Sequence, residues 1–108
     1  MAIDLAQRLA PKRCALLIME CQEGVIGAAG LGALPEAVSR HGIVPRIAAL
    51  ADAARRVQVP VFYLNAARRA DHLGTGNNCL LFALGRKSEP LVPGSPRQAV
   101  VAELAPQP

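Results

Sequence analysis

Side chains that can do chemistry are concentrated at the end of one apolar segment, where Glu20, Cys21 and Gln22 follow directly after residues 14–19. A carboxylate can act as general acid or base, and a thiolate can act as a nucleophile. The unbroken apolar run is typical of a strand that is buried on both faces of a helix-covered parallel sheet. Such sheets place their working residues at the carboxyl ends of the strands. Glu20 is therefore the first candidate for a catalytic residue.

The two residues after Glu20 have competing interpretations. Side chains alternate along a strand, so Cys21 is expected on the opposite face from Glu20, as a small packing residue. Gln22 is expected on the same side as Glu20, where its amide would hold Glu20 or a substrate. The alternatives are that Gln22 is a turn residue at the strand exit and that Glu20 is the polar residue at which a buried strand reaches the surface. The sequence leaves these alternatives open.

A second strand is predicted at residues 59–64, after an amphipathic helix over residues 43–57 with Ile43, Ile47, Leu50, Ala51, Ala54 and Val57 on one face. A strand, a crossover helix and a second strand form a βαβ unit with parallel strands. Asn65 and Arg68, which follow the second strand, then reach the same rim as Glu20. We expect both to bind substrate, with Arg68 or Arg69 pairing with a carboxylate. The alternative is that these arginines are solvated.

The remaining segments are shorter and less regular. Glycine-rich residues 24–32 and residues 70–78 predict loops, and residues 35–41 and 79–84 predict short helices. Ser95-Pro96 has the form of an N-cap followed by proline, which predicts a helix from residue 95 to 104. Cys79 opens a predicted helix, where a thiol can be activated, but an inert role is the alternative.

Composition limits the classes of function. The 108 residues are 52% hydrophobic and 19% charged, which is typical of one globular domain. The net charge is +4, but the basic residues fall in scattered pairs without aromatic residues between them, so no nucleic-acid partner is expected. No signal peptide or membrane span is predicted. Three cysteines without paired spacing predict no disulfide and no metal site, so we expect a cytoplasmic protein without cofactor.

The strand ending in Glu20-Cys21-Gln22 and the step Gln58-Val59-Pro60-Val61-Phe62 resemble the N-terminal half of the isochorismatase-like cysteine hydrolases, over roughly residues 13–104. The resemblance implies a three-layer α/β sandwich, Rossmann-like, around a mostly parallel sheet. It also implies catalysis by an Asp, a Lys and a Cys. Glu20 stands at the Asp position with one extra methylene, and no residue here matches the Lys, the Cys or the Asp-x-His motif of the zinc-binding nicotinamidases.

Two strands are too few for the implied sheet. A two-stranded sheet with one crossover helix leaves apolar surface and open edges exposed. We therefore expect residues 1–108 to form a single incomplete domain. It is either truncated or completed by another chain, as a homo-oligomer or with a complementing partner.

Two functions of different class follow. In the first, the chain is the N-terminal portion of an isochorismatase-like hydrolase that acts on a small amide or related small molecule and is inactive alone. In the second, it is a non-catalytic relative that binds a small molecule or a partner subunit. The carboxylate followed by Gln22 favours the first, and the change from Asp to Glu20 favours the second.

Overall fold

The computed structural model describes residues 3–108 and builds its sheet from two short parallel strands, β1 (Leu16–Met19) and β2 (Val61–Leu64). The register pairs Leu16 with Val61 and Met19 with Leu64. The described residues also form the helices α1 (Leu5–Arg8), α2 (Leu34–Arg40), α3 (Ile43–Arg56) and α4 (Leu80–Gly85), and single 3₁₀ turns at Pro11–Arg13 and Ala102–Leu104. The predicted parallel βαβ unit is confirmed.

Helix α3 packs its small residues against the sheet. Ala51 and Ala54 are buried, and Ile47 and Ala48 are partly buried beside the core. Ile43, Leu50 and Val57, which the periodicity placed on the same face, are exposed instead. Alanine side chains let a helix approach a strand closely, so the alanine stripe, and not the larger leucine, faces β1 and β2.

The end of α3 fixes the entry into β2. The backbone N–H of Val59 donates to Ala54 O at 2.9 Å, and that of Gln58 donates to Arg55 O at 3.0 Å. This is the Schellman arrangement, which needs a left-handed residue just after the helix, and Gln58 supplies it with φ 60°. The helix therefore ends with its last carbonyls satisfied, and the chain turns directly towards β2.

Only one face of the sheet is covered. Ile18 is 4% exposed on the side of α3, whereas Leu17, Met19, Phe62 and Leu64 are 53%, 59%, 54% and 39% exposed. The prediction that β1 is buried on both faces is wrong, because the described residues place no helix over this second side. The expected exposed apolar surface is present. We call these four residues the open sheet face.

Residues 95–104 do not form the predicted helix. Residues 95–99 are turns, Val100 forms an antiparallel bridge with Gln22, and only Ala102–Leu104 is helical, as a 3₁₀ turn. Glu23 N–H donates to Ala99 O, and Val101 N–H donates to Cys21 O, both at 2.9 Å. Because these backbone groups pair with the segment after β1, they are not available for an α-helix.

The core is small for the length of the chain. Ile18, Cys21, Ala51, Val101 and Leu104 form the buried cluster. The accessible surface is 7801 Å², against roughly 5700 Å² expected for a compact monomer of this mass. The radius of gyration is 16.6 Å, against roughly 13 Å for a compact domain of this length. The α/β unit is therefore open and buries little of its apolar surface.

Candidate functional site

Glu20 stands at the end of β1, on the rim where β2 also ends. Its backbone N–H donates to Leu64 O at 2.8 Å, and its carboxylate is exposed. The backbone is left-handed, with φ 54°, which is uncommon for residues other than glycine. Asn65 follows Leu64 and is also exposed. The structure therefore brings Glu20 and Asn65 to one rim of the sheet.

Gln22 lies inside the protein, fully buried. Its Nε2 donates to Ala66 O at 2.8 Å and to Gln98 O at 2.9 Å, and its Oε1 accepts from Ala66 N–H at 2.7 Å. The expectation that Gln22 shares the side of Glu20 is wrong, because β1 ends at Met19 and the strand alternation does not continue. The hydrogen bonds of this amide are all to backbone groups, and its contact with substrate stays a prediction.

Cys21 is a packing residue, as the sequence predicted. Its side chain is 7% exposed, belongs to the core cluster, and its Sγ donates to Met19 O at 3.5 Å. Burial disfavours the thiolate and raises the pKa of this thiol. A nucleophilic cysteine needs the opposite shift, so Cys21 is not suited to covalent catalysis beside Glu20.

The two arginines after β2 have different surroundings. Arg69 donates from Nε and Nη2 to the carboxylate of Asp71 at 3.0 and 2.7 Å. This hydrogen-bonded pair lowers the pKa of Asp71 and raises that of Arg69. Arg68 is half-buried, with its guanidinium carbon 5.6 Å from the centre of the Phe82 ring. Among residues 3–108 no carboxylate pairs with Arg68.

Phe82 and Gly85 support Arg68, and the sequence did not point to either. A guanidinium stacked on an aromatic ring is stabilised by the electrons of the ring. Gly85 leaves the space that the guanidinium occupies, since a β-carbon at this position would collide with Arg68 Nη1. The only signal in the sequence was a phenylalanine in the helix after the loop. Arg68 thus lies against Phe82, in the space that Gly85 leaves.

The other two cysteines differ in exposure. Cys14 is half-buried, and its thiol contacts the carbonyl oxygens of Leu9 and Ala10 at 3.5 and 3.4 Å. Cys79 is exposed at the start of α4. Within the described range, no group of three or more His, Cys, Asp or Glu side chains is arranged to hold a metal ion. No described helix is both long enough and apolar enough to cross a bilayer.

The sequence was compared with models of known families. A family model described as the isochorismatase domain matches residues 14–108, which is nearly the whole chain. The chain belongs to the isochorismatase family. Among curated protein sequences, none matches it. The isochorismatase match includes both strands and the rim with Glu20, Asn65 and Arg68.

Proposed function

We propose that this isochorismatase domain forms the part of a hydrolase active site that carries the general acid and base, which is Glu20. The substrate is a small amide or a related small molecule. The observation that carries the proposal is the placement of Glu20. Its carboxylate is exposed at the end of a parallel strand, and its backbone is bonded to the end of the neighbouring strand. Its left-handed backbone adds support, because strained conformations are frequent at working residues.

The chemistry needs a nucleophile, and two of the three cysteines do not suit that role. In amide cleavage by a cysteine hydrolase, a thiolate bonds to the carbonyl carbon, the carbon–nitrogen bond breaks, and the acid gives its proton to the leaving amine. Cys21 is buried, and Cys14 is turned to backbone carbonyls before β1. We therefore propose that the chain alone does not turn over substrate.

Asn65 and Arg68 are proposed to hold the substrate. The amide of Asn65 can hydrogen-bond a carbonyl or amide group. The guanidinium of Arg68 has no carboxylate partner among residues 3–108 and rests on Phe82. A planar guanidinium binds a carboxylate with two parallel hydrogen bonds. A small amide that also carries a carboxylate suits this pair of groups.

Completion of the domain is part of the proposal. The open sheet face and the free edges of β1 and β2 favour further strands and a second helix layer, as in a three-layer α/β sandwich. A complementing chain would supply them, together with the Lys and the Cys that the family resemblance implies, whereas a second copy would only cover the open sheet face. The three free thiols fit a reducing cytoplasm.

A second candidate function is a non-catalytic module that binds a partner subunit or a small molecule. The open sheet face favours it, because contiguous exposed apolar residues mark interaction surfaces. The extra methylene of Glu20 favours it too, since a displacement of about 1.5 Å, the length of one carbon–carbon bond, can cost of order a hundredfold in rate.

The test measures the ammonia released from small primary amides, including succinamate. Two samples are compared. One is the purified chain, and the other is the assembly that copurifies with the tagged chain from the organism that produces it. We expect no release by the isolated chain. We expect release by the assembly that is lost in Glu20→Gln and kept in Glu36→Gln, a matched change at an exposed carboxylate on α2.

Each part of the proposal has an opposing result. Thiol-sensitive release by the isolated chain, lost in Cys79→Ser, would show that the chain is active alone. An assembly that cleaves none of the amides, or one whose activity is unchanged in Glu20→Gln, contradicts the hydrolytic role of Glu20 and leaves the non-catalytic module.

A further inference from the structure

A groove of about 690 Å³ lies between the loop after β1, the helices α2 and α3, and the 3₁₀ turn Ala102–Leu104. Its lining is mainly apolar, with Ile26, Val38, Val44 and Ala48, and it includes two acidic residues, Glu23 and Glu103. Its volume falls within the range of small-molecule sites. Glu20, Asn65 and Arg68 are not part of its lining, so it is distinct from the rim site.

The two carboxylates in the groove differ from most others in this chain. Of the eight acidic residues, four are ion-paired with arginines, namely Glu36, Asp52, Asp71 and Glu89. Asp4 accepts the backbone N–H of Gln7 at the start of α1. Within residues 3–108, Glu20, Glu23 and Glu103 have neither an ion-pair partner nor a side-chain hydrogen bond. Two of these three line one groove, in a chain whose net charge is +4.

Both carboxylates sit on segments that are held in place. The loop that carries Glu23 is closed by the backbone N–H groups of Val25 and Ile26, which both donate to Gln22 O at 2.9 Å. The carboxylate of Glu23 lies over Gly27, where a β-carbon would collide with it. Glu103 lies between the buried residues Val101 and Leu104. The backbone positions of Glu23 and Glu103 at the groove are therefore set by the fold.

We infer that this groove binds a small organic cation, with an ammonium or guanidinium group beside Glu23 and Glu103 and its apolar body against Ile26, Val38 and Ala48. Two acidic residues and no basic residue line the groove, so the formal charge of its lining is negative. An apolar surface lowers the local dielectric and strengthens the attraction of a cation. Anions are repelled by the same charge.

A divalent metal ion fits the groove less well. Calcium takes six to eight oxygen ligands, and magnesium takes near-octahedral oxygen geometry. The groove offers two carboxylates on a mainly apolar surface, and no cluster of three metal-binding side chains exists in the described part of the chain. A hydrocarbon chain with one positive charge fits better, because the chain can contact the apolar lining residues and the charge can lie beside Glu23 and Glu103.

The experiment titrates the whole chain with hexylammonium and, in parallel, with hexanol, by isothermal calorimetry and by NMR of the backbone amides. We expect saturable binding of hexylammonium, shifts at Glu23, Gly27 and Glu103, and binding at least tenfold weaker for hexanol. The double variant Glu23→Gln/Glu103→Gln should weaken hexylammonium binding by at least tenfold. Glu89→Gln, a carboxylate outside the groove, should leave it unchanged.

A second variant keeps both charges and fills the space. Ala28 lines the groove at an exposed position, so Ala28→Trp should block hexylammonium while the amide spectrum elsewhere stays that of the folded chain. Equal binding of hexanol and hexylammonium, undiminished binding in the double variant, or shifts confined to residues outside the groove would each overturn the inference.

Discussion

Gln22 and Ala66 exchange two hydrogen bonds, with Oε1 accepting from Ala66 N–H at 2.7 Å and Nε2 donating to Ala66 O at 2.8 Å. The Gln22 side chain thus adds two hydrogen bonds to the backbone just beyond the last residues of β1 and β2. The same Nε2 also donates to Gln98 O at 2.9 Å. One buried amide therefore joins three segments beside the rim that carries Glu20 and Asn65.

We predict that Gln22→Leu destabilises the chain by about 3 kcal/mol, because it leaves the backbone groups of Ala66 and Gln98 buried without partners. Urea unfolding followed by circular dichroism measures the change. Gln7→Leu is the control, since Gln7 is exposed on α1 and should change stability by less than about 0.5 kcal/mol. Equal stability of the two variants would contradict the structural role of Gln22.

Glu20→Gly should stabilise the chain by about 0.5–1 kcal/mol relative to Glu20→Gln. Glycine adopts the left-handed conformation without the steric cost that a β-carbon brings, and this gain is partly offset by the greater entropy of glycine in the unfolded chain. Unfolding free energies of both variants test this. Gln58→Gly, at the left-handed end of α3, should change stability in the same direction. A less stable Glu20→Gly variant would show that the backbone at position 20 carries no strain.

Because the Cys21 thiol is buried, the free energy of unfolding should fall at alkaline pH. The folded chain holds the proton of this thiol above its ordinary pKa of about 9, whereas the unfolded chain releases it near that value. The contribution is therefore complete below about pH 9 and is lost as the pH rises from there through the raised folded pKa, by up to about 1.4 kcal/mol per pH unit.

The measurement compares unfolding free energies from about pH 8 to about pH 10.5, a range that spans the ordinary pKa of a thiol. Cys21→Ala should lose less stability over this range than the unchanged chain does. Cys79→Ala, which alters an exposed thiol, should follow the unchanged chain. The same alkaline loss in all three proteins would rule out Cys21 as its source.

The open sheet face should promote association of the isolated chain. Leu17→Lys/Phe62→Lys places two charges on paired positions of this face, so we predict a smaller species in sedimentation velocity with the unfolding free energy little changed. Leu50→Lys, at an exposed leucine on the outer side of α3, is the matched control and should leave association unaltered. An isolated chain that is monomeric before any substitution would remove the basis of this prediction.

The βαβ unit could be predicted because its signals are local. The three- and four-residue steps in α3 and the Val-Pro-Val entry into β2 lie within single elements. The helix expected from Ser95 was wrong because Ala99 and Val101 pair with a segment far back in the sequence. No local pattern reports such a pairing.

The candidate site could be predicted only in outline. The strand ends placed Glu20 and Asn65 correctly at one rim, but the alternation rule did not extend to Gln22 once the chain turned at Glu20. Arg68 and Arg69 are equivalent in sequence. The difference between them arises from Asp71, which pairs with Arg69, and from Phe82, which supports Arg68 across a loop.

The contact between Gln22 and Gln98 spans 76 residues, and this separation sets the order in which the rim can assemble. Closing so long a loop costs entropy before any contact repays it, and chains dominated by distant contacts fold slowly. On a ribosome, β1 and β2 can pair while residue 98 is still inside the exit tunnel, but the Gln22 amide cannot complete its hydrogen bonds. The chain therefore acquires its backbone scaffold early and the hydrogen bonds of the Gln22 amide late.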